Sequence, residues 1–357
     1  MSETLFVGLM LFGLLVVFLV FKVPIAFALI GASAITLVAI GLPLEVTAQR
    51  LFTSLDSFAF LAIPFFILAG NLMGYGGISE RLVGLANSLV GHYPGGLAIV
   101  SIVSCMFFAA ISGSGAATVA AIGGIMIPYM VRSGYPVGFS SAINASAGGI
   151  GIIIPPSIPL VSYAVLTGTS VIELFTGGIT AGIVIGICLI VAAILISRKH
   201  NYQTGVKATW AQRGTAFLKA IPALIMPVII LGGIYSGRFT ATESSVVAVV
   251  YGLVVGLFVY RGLNRENLPR IFKDSAISTA QILFLIAGAT LFGWLLTNYR
   301  VPDAIATNMM NLTNNPIIIL LLMNIILFVM GTFMDTVASI VIVTPILFPI
   351  AKSIGMD

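Results

Sequence analysis

Charged side chains are scarce in this sequence of 357 residues. Asp, Glu, Lys and Arg together make up 8% of it, whereas about a quarter of the residues of a soluble domain are charged. Hydrophobic residues make up 59%, and they form continuous runs instead of the alternating pattern of a membrane β-barrel strand. A helix satisfies its own backbone polar groups in lipid. The composition therefore predicts an all-α polytopic membrane protein.

Histidine and cysteine are nearly absent, and this excludes several kinds of chemistry. His92 and His200 lie near loop positions, so neither is placed to activate a nucleophilic serine inside the membrane. Cys105 and Cys188 lie in apolar runs and have no metal or haem spacing. The sequence also lacks the GxxxxGK(S/T) loop that binds ATP. We therefore expect a protein that is not an enzyme and that holds no cofactor.

Seven apolar segments approach the length of roughly 20 residues that spans a bilayer as a helix. These predicted spans are 4–21, 24–41, 58–75, 174–196, 220–236, 241–260 and 275–296. The loops 198–219 and 261–273 are basic and are separated by two spans, so both lie on one side, which the positive-inside rule makes cytoplasmic. The net charge of +5 thus reflects these basic loops and the topology that they indicate. It gives no reason to expect nucleic-acid binding.

Two other segments, 78–90 and 301–312, have the pattern of short amphipathic helices. In the first, Ile78, Leu82 and Leu85 fall on one helical face. We expect both segments to lie in the interface plane as short helices. An amphipathic loop helix with no such role is the alternative.

Part of the chain is repeated at an offset of 221 residues. Each copy contains an apolar run, an amphipathic segment, a polar interruption and a second apolar run. The pairs matched by this offset are Ser114 with Asp335, Thr118 with Ser339, Pro128 with Pro349, and Gly134 with Gly355. Their common order predicts duplication. Because three predicted spans separate the copies, the second enters the membrane from the opposite side, which is typical of secondary transporters.

The polar interruption ISGSGAAT, starting at Ile111, predicts a re-entrant hairpin over 96–132. Two full spans need about 40 residues and a turn, and this segment has 37 with the polar tip near its middle. We expect the turn at 112–118. The second copy predicts a corresponding hairpin over 315–353. Irregular backbone inside a membrane is tolerated only against protein or a wet cavity, so a mid-membrane site is expected.

The segment 137–167 reads as a helix broken over GGIGIIIPPS. Pro155 and Pro156 stop the first half-helix and leave carbonyls free near Gly149, Gly151 and Ile154. Free carbonyls at a half-helix end suit a cation such as sodium. A proline kink without a ligand is the alternative.

Asp335 lies deep in an apolar run, where an acidic residue costs about 2.5–3.5 kcal/mol on insertion scales. We expect it to coordinate sodium or to meet a neutralising partner, and a structural hydrogen bond is the alternative.

These patterns divide the chain into four parts. The predicted parts are N-terminal scaffold helices (1–57), the first repeat (58–173), scaffold helices with cytoplasmic loops (174–274) and the second repeat (275–357). The second repeat has no counterpart of the broken helix, so we expect it to be incomplete at its C-terminus.

Four motifs resemble the large membrane subunit of tripartite ATP-independent periplasmic (TRAP) transporters, which belong to the ion-transporter superfamily. They are DSFAFLAIPFFILAGNLM (56–73), ISGSGAATVAAIG (111–123), GGIGIIIPPSIPLVSYAVLTG (148–168) and GRFTATES (237–244). The resemblance implies uptake of an organic acid, such as a C4-dicarboxylate or sialic acid, by sodium symport and an elevator motion. It also implies two protein partners, a small four-helix membrane subunit and a periplasmic substrate-binding protein. The expected location is the inner membrane of a bacterium or archaeon.

The resemblance implies that the segments 78–90 and 301–312 are arm helices, which link a fixed scaffold to the moving part. It also implies roles for individual residues. The first sodium site would use Ser112, Gly113, Ser114, Asn144, Gly149, Gly151, Ile154 and Pro156. Half of a second sodium site would use Gly331, Thr332 and Asp335. The organic acid would contact Ser112, Ser114, Thr118, Asn144 and Ser157. An ion-conducting channel and a membrane scaffold that transports nothing remain alternatives, and flux measurements separate them.

Overall fold

The computed structural model describes residues 3–200, 202, 205, 207–312, 315–332 and 334–355. Helices dominate this part of the chain, and no strand occurs in it. In chain order they are α1 (Glu3–Val20), α2 (Ile25–Ala39), α3 (Glu45–Thr53), α4 (Ala62–Tyr75), α5 (Ile78–Val90), α6 (Gly96–Ser112), α7 (Gly115–Thr118), α8 (Gly124–Arg132), α9 (Val137–Gly148), α10 (Ile158–Thr167), α11 (Val171–Lys199), α12 (Trp210–Tyr235), α13 (Ala241–Val254), α14 (Asn267–Asn298), α15 (Val301–Leu312), α16 (Pro316–Gly331) and α17 (Thr336–Ser353).

Eight helical stretches in the described residues are long and apolar enough to cross a membrane. They are Glu3–Val20, Phe58–Tyr75, Gly115–Arg132, Val171–Lys199, Trp210–Tyr235, Ala241–Val259, Asn267–Asn298 and Thr336–Ser353. Large apolar side chains point outward on several of them, for example Leu195, Val228 and Phe258. An outward apolar surface of this extent is suited to lipid. The prediction of an all-α polytopic membrane protein is confirmed.

Helix α3 is an element that the sequence did not predict. Glu45–Thr53 carries Glu45, Gln49 and Arg50 among its nine residues, and none of the nine is buried. At nine residues it is shorter than the window of about 11–18 residues over which a helical period can be recognised.

Three helices are longer than their apolar segments, and one of them is α12, which begins at Trp210 although its predicted span begins at residue 220. α11 extends to Arg198 and Lys199, which stabilise the negative end of the helix dipole. α14 begins at Asn267, and the side chain of Asn264 accepts hydrogen bonds from the amides of Glu266 (3.0 Å) and Asn267 (2.8 Å). Helices thus continue past the hydrophobic stretch until a cap or a charged end stops them.

Capping boxes define the starts of the two helices that follow polar loops. Thr209 and Gln212 exchange hydrogen bonds with each other's backbone at the start of α12. Thr240 and Glu243 do the same at the start of α13. These reciprocal bonds satisfy amides that no helical carbonyl can reach.

The chain forms two compact units. The first comprises the described residues of 1–60, 162–169 and 279–357. In it the rings of Phe12 and Phe292 meet edge to face with centroids 5.6 Å apart. A Cβ atom at Gly288 would lie 3.0 Å from the carbonyl oxygen of Ala26, so this glycine allows α14 and α2 to pack closely.

The second unit comprises the described residues of 61–161 and 170–278. Its α4 packs tightly against α13, where Gly252 would place a Cβ atom 3.4 Å from the sulfur of Met73. Phe66, Phe108 and Phe175 are fully buried in this unit. The division into four parts rests on the repeat and stays a prediction.

The predicted topology can be tested by cysteine labelling. In a Cys188→Ala background, Arg238→Cys in the loop after α12 should react with a membrane-impermeant maleimide added to intact cells. Lys207→Cys, in the basic loop before α12, should react only after the cells are permeabilised, because positive loops stay in the cytoplasm. Labelling of Lys207→Cys in intact cells would contradict the assigned orientation.

Candidate functional site

The turn of the first hairpin is shorter than predicted. α6 ends at Ser112, and only Gly113 and Ser114 separate it from α7. Gly113 has φ +62°, which glycine adopts without strain. The Ser114 hydroxyl accepts a hydrogen bond from the amide of Ala117 at 3.3 Å and so caps α7. Thr118, expected to lie in the turn, is the last residue of α7.

A π-helical turn, Val119–Gly123, joins α7 to α8. It was not predicted, because a π turn and an α turn share the same apolar pattern. Such turns frequently occur at functional sites.

Three oxygen atoms converge just inside the turn. The hydroxyl oxygens of Ser112 and Thr118 lie 3.0 Å apart. The Thr118 hydroxyl donates to the carbonyl of Ser114 at 2.8 Å, and the Thr118 amide reaches the same carbonyl at 3.0 Å. Ser112 is 2% exposed and Thr118 is fully buried. The tip therefore carries a polar but uncharged cluster, in which the two hydroxyl side chains are buried and Ser114 is half-buried.

The break predicted after α9 is present. A 3₁₀ turn covers Gly149–Ile152, and the next helix starts only at Ile158. The carbonyl of Ile150 accepts from the amides of Ile153 and Ile154, each at 3.0 Å. The Ser157 hydroxyl donates to the carbonyl of Ile152 and accepts from the amide of Leu160 at 3.3 Å. Local bonds thus occupy the carbonyls of Ile150 and Ile152. The sequence predicts free carbonyls near three other residues, Gly149, Gly151 and Ile154.

The tip of the hairpin lies against this break. The amide of Ile158 donates to the carbonyl of Gly113 at 3.4 Å. A Cβ atom on Gly113 would come within 2.6 Å of the carbonyl oxygen of Pro156. A Cβ atom on Gly151 would collide with the hydroxyl of Thr118. The structure therefore brings together residues that the sequence analysis named from segments about 40 positions apart.

Asn144 lies outside this cluster. Its side-chain oxygen accepts from the Ser101 hydroxyl at 2.6 Å, and its side-chain amide donates to the carbonyl of Ser140 at 2.8 Å. The residue is fully buried. A bond from α6 thus occupies the oxygen of its amide group, and a bond within α9 occupies the nitrogen.

The second hairpin places an acid where the first has a serine. Asp335 caps α17 by accepting from the amide of Val337 at 3.0 Å, as Ser114, its partner at offset 221, caps α7. The Thr332 hydroxyl donates to the carbonyl of Val329 at 2.7 Å. Gly331, Thr332 and Asp335 are exposed. The structural hydrogen bond that was the alternative for Asp335 is therefore present, and its expected role with sodium stays a prediction.

One buried hydroxyl in the second hairpin has no hydrogen-bond partner within the described residues. It belongs to Ser339, the repeat partner of Thr118. It borders a cavity of about 430 Å³ that Tyr163, Thr336 and Thr344 also line. An unsatisfied buried hydroxyl is unfavourable unless a ligand or water reaches it.

A cavity behind the first tip was not anticipated. Its volume is about 340 Å³, and Gly70, Asn71, Tyr75 and Ala117 are among its lining residues. The side-chain amide of Asn71 donates to the hydroxyl of Ser275 at 2.8 Å. A polar residue in the middle of an apolar span was the available signal for Asn71.

Comparison with known sequences identifies the family. The family described as "Tripartite ATP-independent periplasmic transporter, DctM component" matches residues 12–357. The chain belongs to this family. Its membership confirms the resemblance seen in the four sequence motifs.

Relatives of this DctM-family chain are named as permeases for different acids. The isethionate TRAP transporter permease protein DctMQ of Oleidesulfovibrio alaskensis is 46% identical over 97% of the chain. The C4-dicarboxylate large permease protein DctM of Pseudomonas aeruginosa is 44% identical over 87% of it. The sialic acid large permease protein SiaM of Vibrio cholerae is 36% identical over 94%. These are transporter proteins, which confirms that the chain is not an enzyme.

The chain matches different fractions of these relatives. It spans 55% of the length of the isethionate protein, about half. It spans 73% of the C4-dicarboxylate protein and 78% of the sialic acid protein.

The close approach of tip and break predicts a contrast between two neighbouring glycines. Gly151→Ala should lower the free energy of unfolding by about 1–3 kcal/mol, because its methyl group would overlap the Thr118 hydroxyl and approach the Ser114 carbonyl oxygen to 2.9 Å. Gly149→Ala is the matched control, since a Cβ atom there meets nothing within 4 Å. Thermal unfolding of the two purified variants measures the difference. Equal midpoints would show that the break does not press against the tip.

Proposed function

We propose that this chain is the large membrane subunit of a TRAP transporter that imports an organic acid by sodium symport. The observation that carries the proposal is the enclosed cluster of uncharged oxygens where the hairpin tip meets the helix break. Its partners would be a small four-helix membrane subunit and a periplasmic substrate-binding protein. The complex would lie in the lipid bilayer of a bacterial or archaeal inner membrane.

Sodium suits the tip because oxygen atoms of several kinds are already close together there. Hard cations bind carbonyl and hydroxyl oxygens. The Ser112 and Thr118 hydroxyls and the Ser114 carbonyl are joined by hydrogen bonds of 2.8–3.0 Å. A cation could bind these oxygen atoms once the two hydroxyl groups rotate their hydrogen atoms away from it, and it could also draw on the carbonyl of Pro156 beside Gly113. The second sodium ion would use Gly331, Thr332 and Asp335.

An organic acid is the proposed substrate because the relatives are named for isethionate, C4-dicarboxylate and sialic acid. The serine-rich tip offers hydroxyl groups to such an anion, and a bound sodium ion would offset its charge. Of the expected contacts, Ser112, Ser114, Thr118 and Ser157 lie at the tip and the break. Asn144 would have to leave its bond with Ser101 to take part.

An elevator motion is the proposed mechanism of access. The tip and the break lie in the same compact unit, so they can move without separating. α5, with Ile78 and Leu82 buried against the rest of that unit, is the proposed arm helix of the first repeat. α15 would serve the second repeat.

Stability in sodium tests the proposed cation site. Sodium at about 100 times its dissociation constant should stabilise the protein by about 2.7 kcal/mol relative to potassium at equal ionic strength. Thr118→Val, which keeps the shape and removes the hydroxyl, should abolish the difference. Ser33→Ala is the control, because Ser33 is buried and its hydroxyl donates to a carbonyl of α2, outside the cluster. Thermal unfolding in detergent provides the measurement.

A sodium effect that survives in Thr118→Val would place the ion elsewhere.

Uptake by liposomes that contain all three subunits separates the three candidate functions, transporter, channel and scaffold. Saturable uptake that requires sodium supports a transporter, a current without saturation supports a channel, and no flux supports a scaffold.

A further inference from the structure

A large groove opens beside the arm helix α5, away from the oxygen cluster. Its volume is about 870 Å³. Side chains from α5, from the first half of α12 and from the end of the span that begins with α13 line it. The lining includes Arg81, Leu85, Leu218, Lys219, Val259 and Tyr260.

Arg81 is held in position at the polar end of the groove. Its guanidinium group donates to the carbonyl of Gly77 at 2.6 Å and lies 4.5 Å above the ring centre of Tyr260. Tyr260 is itself anchored, because its hydroxyl donates to the carbonyl of Lys219 at 2.8 Å and accepts from the amide of Ala223 at 3.2 Å. The cation is therefore oriented in advance, and most of its donors are still available.

Little negative charge opposes this cation. The carboxylate of Glu80 lies 3.6 Å from the guanidinium, but its side chain is 74% exposed, and an exposed pair of this kind is weak. Lys219, on the other side of the groove, makes no ion pair with any residue that the structure describes. Two cations thus face one space with one solvated carboxylate at the rim.

The rest of the groove is apolar. Leu85 and Val259 form part of its wall, and Leu218 on α12 is 67% exposed. Trp210, the first residue of α12, is 84% exposed. The guanidinium carbon of Arg213 lies 5.2 Å from the centre of its ring. Tryptophan is typical of the level where lipid headgroups meet the hydrocarbon. A polar end with two cations and an apolar wall matches the two parts of a phospholipid.

The predicted orientation of the chain places this groove at the cytoplasmic leaflet. α12 begins at Trp210, inside the basic segment 198–219, and the basic segment 261–273 starts beside Tyr260. This leaflet carries anionic lipid, and basic pockets between membrane helices on this side hold acidic headgroups.

We infer that the groove is a binding site for an acidic phospholipid, with its phosphate between Arg81 and Lys219 and an acyl chain along Leu218 and Val259. The site lies within one compact unit and next to the arm helix. The inference does not depend on sodium coupling or on the transported acid.

Native mass spectrometry of the purified chain tests the site with phosphatidylglycerol and, as the zwitterionic comparison, phosphatidylcholine. Each basic residue near the surface contributes about 1 kcal/mol to the attraction of anionic lipid, which corresponds to about a fivefold change in affinity. Lys219→Gln should weaken phosphatidylglycerol binding about fivefold and leave phosphatidylcholine unchanged. Arg265→Gln, which removes an exposed cation of the neighbouring loop outside the groove, should change neither.

Arg81→Gln should weaken the binding of phosphatidylglycerol at least as much as Lys219→Gln does. If Arg81→Gln fails to fold, Lys219→Gln alone still tests the site. Unchanged binding in Lys219→Gln would overturn the inference, as would an equal loss in Arg265→Gln, which would indicate a general charge effect. Displacement of the lipid by millimolar inorganic phosphate would identify a site for free anions instead. If the complex formed by Lys219→Gln loses the small membrane subunit while the variant still binds the lipid, the groove is a protein interface instead.

Discussion

The structure depends on how two interruptions in apolar helices find partners for their free backbone groups, partly within each interruption and partly between the two. A carbonyl or amide left without a partner in lipid costs several kcal/mol. The carbonyl of Gly113 meets the amide of Ile158, and the carbonyl of Ser114 meets Thr118. Neither the hairpin tip nor the broken helix could lie in an apolar environment alone. Together they form a polar interior that the surrounding helices enclose.

That constraint explains which residues occupy the site. Glycine is needed at Gly113 and Gly151, because a side chain there would enter the space of Pro156 or Thr118. Short hydroxyl side chains at Ser112 and Thr118 supply oxygen atoms without charge. An uncharged cluster has a low cost of burial when empty and can still attract a cation. The groove at Arg81 differs from this cluster, because charged side chains line it and the carboxylate of Glu80 beside them is exposed.

The sequence predicted the main features of the site because they depend on local chemistry. Serine and glycine mark the tip, and consecutive prolines mark the break. The residues that contact these features were harder to predict because they come from distant segments. Ser101 donates a hydrogen bond to the side chain of Asn144, and α4 supplies Asn71 and Gly70 behind the tip. Helix α3 and the π turn were missed since neither changes the apolar pattern. Asp335 was predicted to bind sodium, and its capping bond to Val337 appeared only as the alternative.

The most direct test of the central claim is a structure of the protein determined in sodium and again in potassium. The account predicts density in sodium that touches the Ser112 hydroxyl, the Thr118 hydroxyl and the Ser114 carbonyl, with no such density in potassium. Identical maps, in which the Thr118 hydroxyl still donates to the Ser114 carbonyl in both salts, would contradict it.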